Sequence, residues 1–254
     1  RPDFLAFVQV WPRIDGGIVY AAKGAHETIL RLCAQPAEAT AAAEREAHAL
    51  AARGMRVLAV AEADLPTDRN DPPDRLTYRL VGLLGFLDPV RPDVPAALAE
   101  ATRAGVAVAM ITGDYPATAL AIAREAGLEV GGGVVTGADL AGDEVRIVDR
   151  RLFARISPEQ KLELVEAFKR EGHVVAMTGD GINDAPALAA AHVGIAMGRR
   201  GTDVAREASD LILLDDRFAS IVGGIRLGRR IFANLRRAMI FITAIHVPSA
   251  GMAL

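Results

Sequence analysis

The sequence predicts an α/β protein built on a parallel sheet, with a partial α+β layer before it and one long helix after it. Three observations lead there. From Tyr78 onward, short apolar runs alternate with helical segments that stop at glycine, the pattern of strands covered on both faces. Two of those runs, VAVAMI and VVAM, lead into the same tripeptide, Thr-Gly-Asp. The composition, 51% apolar with 5% aromatic and a mean hydropathy of +0.23, excludes global disorder and suits layers rich in Ala, Val and Leu.

Length and charge narrow the classes further. At roughly 150 residues per domain, 254 residues make one or two domains with room for a core. Lys and Arg number 29 against 32 Asp and Glu, a net charge of −3, and no basic run precedes Arg226, so nucleic acid is not an expected partner. The lone Cys33 allows neither an internal disulfide nor a thiolate metal cage, which points to a reducing compartment, the cytosol by default.

In chain order, residues 1–62 hold the apolar stretches FLAFVQV, IVYAAKG and MRVLAVA around an Ala/Glu-rich helix over residues 36–53, ended by Gly54. Position 1 is Arg and no signal-peptide layout follows, so the sequence is expected to begin inside a larger protein. Residues 63–75, polar and rich in proline, predict a linker, with the domain boundary there. The strand YRLVGLLGF then precedes helices over 94–104, 116–126, 158–171 and 184–191, with Gly105, Gly127 and Gly172 as stops and VVAM and VGIAM as further strands. Ser157, Pro158 and Gln160 supply the N-cap, first-turn proline and capping-box partner of the third of these helices. Residues 238–254 carry no charged side chain and follow five arginines, Arg226, Arg229, Arg230, Arg236 and Arg237. As a helix this run would reach about 25 Å, short of the roughly 30 Å bilayer core, so it predicts a truncated transmembrane helix entered from the cytosol.

The strand ends carry the chemistry. In an open parallel sheet, groups at the carboxyl ends of strands line one crevice toward which helix amino termini point free N–H groups, so two Thr-Gly-Asp loops are expected to face a common anion. The second continues as TGDGINDAPAL, packing Asp180, Asn183 and Asp184 into five residues. Carboxylates that close repel one another unless a hard cation lies among them, and Mg²⁺ takes one or two while keeping waters for phosphate oxygens. Lys161, in the first turn of the capped helix, is the candidate cation for a phosphoryl group, although the helix dipole disfavours a positive charge there.

With KGA (23–25), DPVR (88–91), TGD (112–114), SPEQK (157–161) and TGDGINDAPAL occurring in this order, the whole chain resembles the C-terminal part of the ATP-binding loop of a P-type cation-transporting ATPase. The resemblance implies the end of a nucleotide-binding domain over 1–75, a haloacid-dehalogenase-like (Rossmann-like) phosphorylation domain over 76–216, and a stalk with the start of the fifth membrane helix over 217–254. It further implies ATP contacts at Lys23, Gly24 and Arg56, and a domain hinge at Asp88 and Arg91. Thr112, Gly113, Lys161 and Asn183 would hold the transferred phosphoryl group, Asp114 would belong with them to the catalytic set, Asp180 would bind Mg²⁺, and Asp184 would support the loop. The implied partners are ATP, a transported cation, the pump's remaining domains and the membrane.

The departures are as informative. The Asp-Lys-Thr-Gly-Thr segment that carries the phosphorylated aspartate in that family does not occur here. GLLGFLDPVR places Asp88 after an apolar strand but lacks the residues that follow the nucleophile. The expectation is a piece of a pump, inactive alone; the rivals are a soluble haloacid-dehalogenase-class phosphatase and a non-catalytic nucleotide- or Mg²⁺-binding module. The stalk resembles the calcium and sodium/potassium branch, and matching along it puts His246 and Ser249 at transported-ion positions. Neither is a carboxylate, which weakens the case for Ca²⁺.

Overall fold

The computed structural model describes the backbone of residues 6–14, 16–66, 72–141 and 147–252, and the side chains of these except 66, 74, 141 and 247–252. In chain order it contains β1 (Ala6–Pro12), β2 (Gly17–Ala25), α1 (His26–Leu32), α2 (Ala37–Ala52), β3 (Arg56–Pro66), β4 (Arg79–Phe86), α3 (Val94–Arg103), β5 (Met110–Ile111), α4 (Pro116–Glu125), β6 (Val134–Thr136) and β7 (Leu152–Ala154). It continues with α5 (Pro158–Arg170), β8 (Ala176–Gly179), α6 (Ala185–Ala190), β9 (Val193–Met197), α7 (Asp203–Glu207), β10 (Leu211–Leu213) and α8 (Phe218–Met252). The four glycines expected to stop helices, Gly54, Gly105, Gly127 and Gly172, all have positive φ, between 71° and 82°.

The chain divides into two compact units. The first comprises Arg1–Val90, Ala109–Glu125 and Glu129–Ile156. Its main sheet is antiparallel in the order β1-β2-β3-β4. Strand β3 shows why one face is covered: Val57, Ala59, Ala61 and Ala63 are buried while their neighbours are not, the period-two alternation of a half-buried strand. Those small side chains admit α1 closely, so Ile29 is fully buried beside Tyr20, Ala22 and Tyr78. The expected linker over 63–75 is therefore corrected at its start, since the alternation holds the chain in β3 as far as Pro66; residues 67–71 lie outside the described residues. YRLVGLLGF is a strand as expected, but it pairs antiparallel with β3 instead of joining a parallel sheet. A second sheet in this unit, ordered β5-β7-β6, is parallel, and its central β7 is completely buried. Of VAVAMI only Met110 and Ile111 are strand, because β7 offers partners only from Arg151 to Phe153.

The second unit comprises Arg91–Val108, Ala126–Leu128 and Ser157–Leu254. Its sheet is parallel in the order β10-β9-β8, and Val165 of α5, Leu188 of α6 and Ala205 of α7 pack with Met177 and Ala196 into its core. Helix α3 lies against α8, with Ala97, Ala101 and Val222 buried together. Helix α8 extends about 52 Å at 1.5 Å per residue over its 35 residues. Among the described residues, however, no helix is long and apolar enough to cross a membrane. The run expected as the start of a membrane helix forms the end of α8, whose residues 238–252 carry no Asp, Glu, Lys or Arg.

Candidate functional site

The acidic loop after β8 belongs to the second unit. Helix α5 begins with the expected capping box: Ser157 Oγ accepts from Gln160 N–H at 3.3 Å and Gln160 Oε1 accepts from Ser157 N–H at 3.1 Å. That cap sets the first turn and delivers Lys161, whose Nζ lies 2.6 Å from Asp184 Oδ1. With side chains 18% and 11% exposed, this is a mostly buried pair. The other oxygen of Asp184 accepts from the N–H groups of Gly181 at 3.1 Å and Asp180 at 3.3 Å. Asp184 thus ties the lysine to the backbone of the loop. Gly179 permits the approach, because a Cβ there would lie 2.6 Å from the Cβ of Asp184.

With both oxygens of Asp184 engaged, the loop's free oxygen donors are Asp180 and Asn183. Both side chains are exposed, and neither has a hydrogen-bond or ion-pair partner among the described residues. This fits Mg²⁺, which accepts one or two protein carboxylates and retains its waters. Among the described residues there is no group of three or more His, Cys, Asp or Glu that could hold a metal ion.

The first Thr-Gly-Asp belongs to the other unit. Thr112 N–H donates to Phe153 O at 2.9 Å, fixing the end of β5 to β7. Its hydroxyl donates to Asp114 Oδ2 at 3.0 Å and accepts from Asp114 N–H at 3.1 Å, a self-contained turn. Asp114 Oδ1 lies 3.8 Å from Arg56 Nε at the start of β3. Gly113 stands between them with space around it, the nearest atom to a Cβ there being Ile156 O at 3.8 Å. Lys23 is exposed on β2, with Nζ 5.7 Å above the Phe7 ring, and Gly24 follows it opposite Ala6 and Ala59. Asp88 is exposed after β4, while Arg91, the first residue of the second unit, donates to the carbonyl of Asp216. On α8, His246 Nδ1 lies 2.9 Å from Ile242 O; the side chain of Ser249 is outside those described.

Three groups near these loops escaped the sequence reading. Arg155 has a left-handed backbone (φ 55°), donates to Glu27 Oε1 at 2.6 Å and covers the Tyr115 ring. Burial opposes ionisation of Glu27, but its own N–H and Arg155 outweigh it and hold its carboxyl below the usual range. Nothing local could have revealed a pair 128 residues apart. His26, 4% exposed and edge-on to Tyr115, has its pKa lowered by burial first, with Arg155 and His48 adding to the effect. Asp216, also nearly buried, accepts three backbone N–H groups; its only local signal was the doubled acid in LLDDRF.

A profile of the haloacid dehalogenase-like hydrolases matches residues 7–192. The chain belongs to that family. Among curated relatives, the probable cation-transporting ATPase F of Mycobacterium bovis is 46% identical over 89% of this chain and 27% of its own length. Calcium-transporting ATPase 1 of Yarrowia lipolytica is 48% identical over 74% of the chain and 21% of its own length. The sodium/potassium-transporting ATPase subunit alpha of Drosophila melanogaster is 40% identical over 77% of the chain and 23% of its own length. The chain therefore spans about a quarter of the length of these relatives.

Proposed function

We propose that this chain is part of an ATP-driven cation pump, in which the γ-phosphoryl group of ATP passes to an aspartate. In that step the bond from phosphorus to the bridging oxygen of ADP breaks, a carboxylate oxygen bonds to phosphorus, and ADP leaves; hydrolysis of the acyl phosphate returns the carboxylate. The attacking aspartate would come from a segment outside these 254 residues. The observation that carries the reading is the arrangement of the acidic loop: Asp184 is turned inward onto Lys161 while Asp180 is left exposed.

The residues divide the work. Asp180 offers oxygens toward Mg²⁺, which when bound would neutralise charge on phosphoryl oxygens, and the exposed Asn183 beside it is the candidate in this loop for holding the phosphoryl group itself. Asp184 holds Lys161 by one oxygen and the loop by the other, so the remaining ammonium protons of Lys161 can be donated to a phosphoryl oxygen without a change of rotamer. In the first unit Gly113 and Thr112 are further candidates for the phosphoryl group, the Thr112 hydroxyl then exchanging Asp114 Oδ2 for a phosphoryl oxygen, and Lys23, Gly24 and Arg56 are candidates for the nucleotide. Asp88 and Arg91 are the proposed hinge. His246 and Ser249 are the candidates on α8 for the transported cation, with α8 leading to the membrane. The named relatives move calcium, sodium and potassium, or an unspecified cation, so the ion is not fixed by likeness.

The test uses the full-length protein that contains this chain, incubated with ATP labelled in the γ position and quenched in acid. Hydroxylamine-sensitive label is expected on the unsubstituted protein and lost in Asp180→Ala, with nucleotide affinity kept within a few-fold. The 254-residue chain alone takes no label. Label on that chain, or an unaffected Asp180→Ala, overturns the proposal.

A further inference from the structure

The peptide of Asp180 is held on both sides while its carboxylate stays free. On the N–H side, Asp184 Oδ2 accepts from Asp180 at 3.3 Å; on the carbonyl side, Thr202 N–H donates to Asp180 O at 2.9 Å. The second tether is only as firm as the segment 198–202 that carries it. Asp216 grips that segment from its N–H side: Oδ1 accepts from Gly198 at 2.7 Å and Arg199 at 3.0 Å, and Oδ2 accepts from Arg200 at 3.0 Å. Three successive backbone N–H groups around a carboxylate form a fixed anion nest. Arg206 grips the carbonyl side, donating from Nη1 to Gly198 O and to Gly201 O, each at 2.8 Å. Gly201 admits no side chain, since a Cβ would lie 1.9 Å from Met197 O. Asp216 is itself pinned, 5% exposed, with Arg91 donating to its carbonyl.

We infer that Asp216 is a positioning residue for the metal loop: by fixing segment 198–202 it fixes the Thr202 N–H that holds Asp180, and so sets where the Asp180 carboxylate stands. This rests on the reading of Asp180 as a Mg²⁺ ligand. A mere fold-stabilising role would act on the whole unit alike; this role runs through one hydrogen bond, from Thr202 N–H to Asp180 O, and can be cut there. Thr202 has φ −70°, which proline matches while lacking the N–H. Thr202→Ala keeps the N–H and removes only the hydroxyl that caps α7 through Ala205 N–H.

Mn²⁺ serves as the probe, its free signal followed by electron paramagnetic resonance during titration into the full-length protein that contains this chain. Asp180→Ala is expected to abolish the tight site. Asp216→Asn and Thr202→Pro each weaken it about tenfold or more, the scale for losing a group that orients a metal ligand, while Thr202→Ala binds as the unsubstituted chain does. Unchanged affinity in both Asp216→Asn and Thr202→Pro, with Asp180→Ala still deficient, overturns the relay alone. Equal losses in Thr202→Ala and Thr202→Pro also overturn it, because the cap would then be responsible. Unchanged binding in Asp180→Ala overturns the metal reading itself, and the relay with it.

Discussion

The two Thr-Gly-Asp loops have the same three residues at the ends of parallel strands and wire them in opposite ways. In the first, the aspartate is used locally: Asp114 accepts the hydroxyl of Thr112 and faces Arg56. In the second, the terminal Asp180 is left exposed and a fourth residue, Asp184, takes the inward contacts with Lys161 and the loop backbone. A tripeptide that looks like one signature twice is thus a self-contained turn in one unit and an open pair of oxygen donors in the other. What separates them is the residue four positions downstream, which is Thr118 after Asp114 and Asp184 after Asp180. Thr118 is buried too, but its hydroxyl donates to Met55 O at 2.8 Å and ties α4 to the start of β3, leaving the loop to its own resources.

The largest effect that could break this comparison is on stability. Asp184→Ala would strand a mostly buried ammonium and free two N–H groups, a loss of about 3–5 kcal/mol in the second unit. Asp114→Ala removes a partly exposed group from a local turn and should cost only about 1 kcal/mol in the first. The measurement needs care, because Trp11, Tyr20, Tyr78 and Tyr115, the chain's full set of Trp and Tyr, all lie in the first unit. Fluorescence therefore follows that unit alone. Hydrogen exchange read by peptide, over α5 and β8 against α4 and β7, resolves both. Comparable losses of protection from the two substitutions would dissolve the distinction between the loops.

Smaller, and opposite in pH range, are the acid sensitivities of the two units. The pKa of His26 is lowered from its ordinary 6.5 by burial, so the folded first unit prefers the neutral ring. Its contribution is complete above the unfolded pKa and falls as the pH drops through 6.5 toward the folded value. Asp216 behaves the other way. The N–H of Arg199, ahead of those of Arg200 and Gly198, holds its carboxyl below the usual 3.8 against the opposing effect of burial. Its contribution is complete above 3.8 and is lost only below that. Between pH 7 and 5 the first unit should therefore lose stability by urea titration under fluorescence, and His26→Phe should flatten that slope. A slope unchanged by His26→Phe would remove His26 as its source.

Legibility follows distance along the chain. The capping box of α5, the glycines that stop helices and the crowding of Asp180, Asn183 and Asp184 are relations over three to five residues, and each was readable as a local pattern. The pairing of YRLVGLLGF was not, because alternation says that a strand has a buried face without naming its neighbour, and β3 claims it antiparallel. Likewise VAVAMI has the composition of a six-residue strand, yet a strand is only as long as the partner beside it. The contacts of the Asp216 carboxylate span 16 to 18 residues and that of Arg155 with Glu27 spans 128, distances over which periodicity carries no information. The crowding of the acidic loop was therefore visible in the sequence, while the contacts that turn Asp184 inward and tie the loop to Thr202 were not.

The smallest expected effect separates structure from nucleotide recognition in the first loop. Arg56 is 70% exposed, its Nε is 3.8 Å from Asp114 Oδ1, and an exposed pair at that distance contributes little once solvent and salt screen it. Arg56→Gln should therefore shift the fluorescence-detected unfolding midpoint by no more than about 0.5 kcal/mol in stability, at low or high salt. Because the fold is then intact, a loss of ATP binding in the same variant, measured by titration of the full-length protein, would fall on the contact that the proposal gives Arg56. Asp114→Asn supplies the control. It abolishes the charge opposite Arg56 while keeping an oxygen for the Thr112 hydroxyl, and should leave the arginine freer to meet a phosphate. Weakened ATP binding in Asp114→Asn together with unchanged binding in Arg56→Gln would assign the loop's part in nucleotide binding to the aspartate and take it away from Arg56.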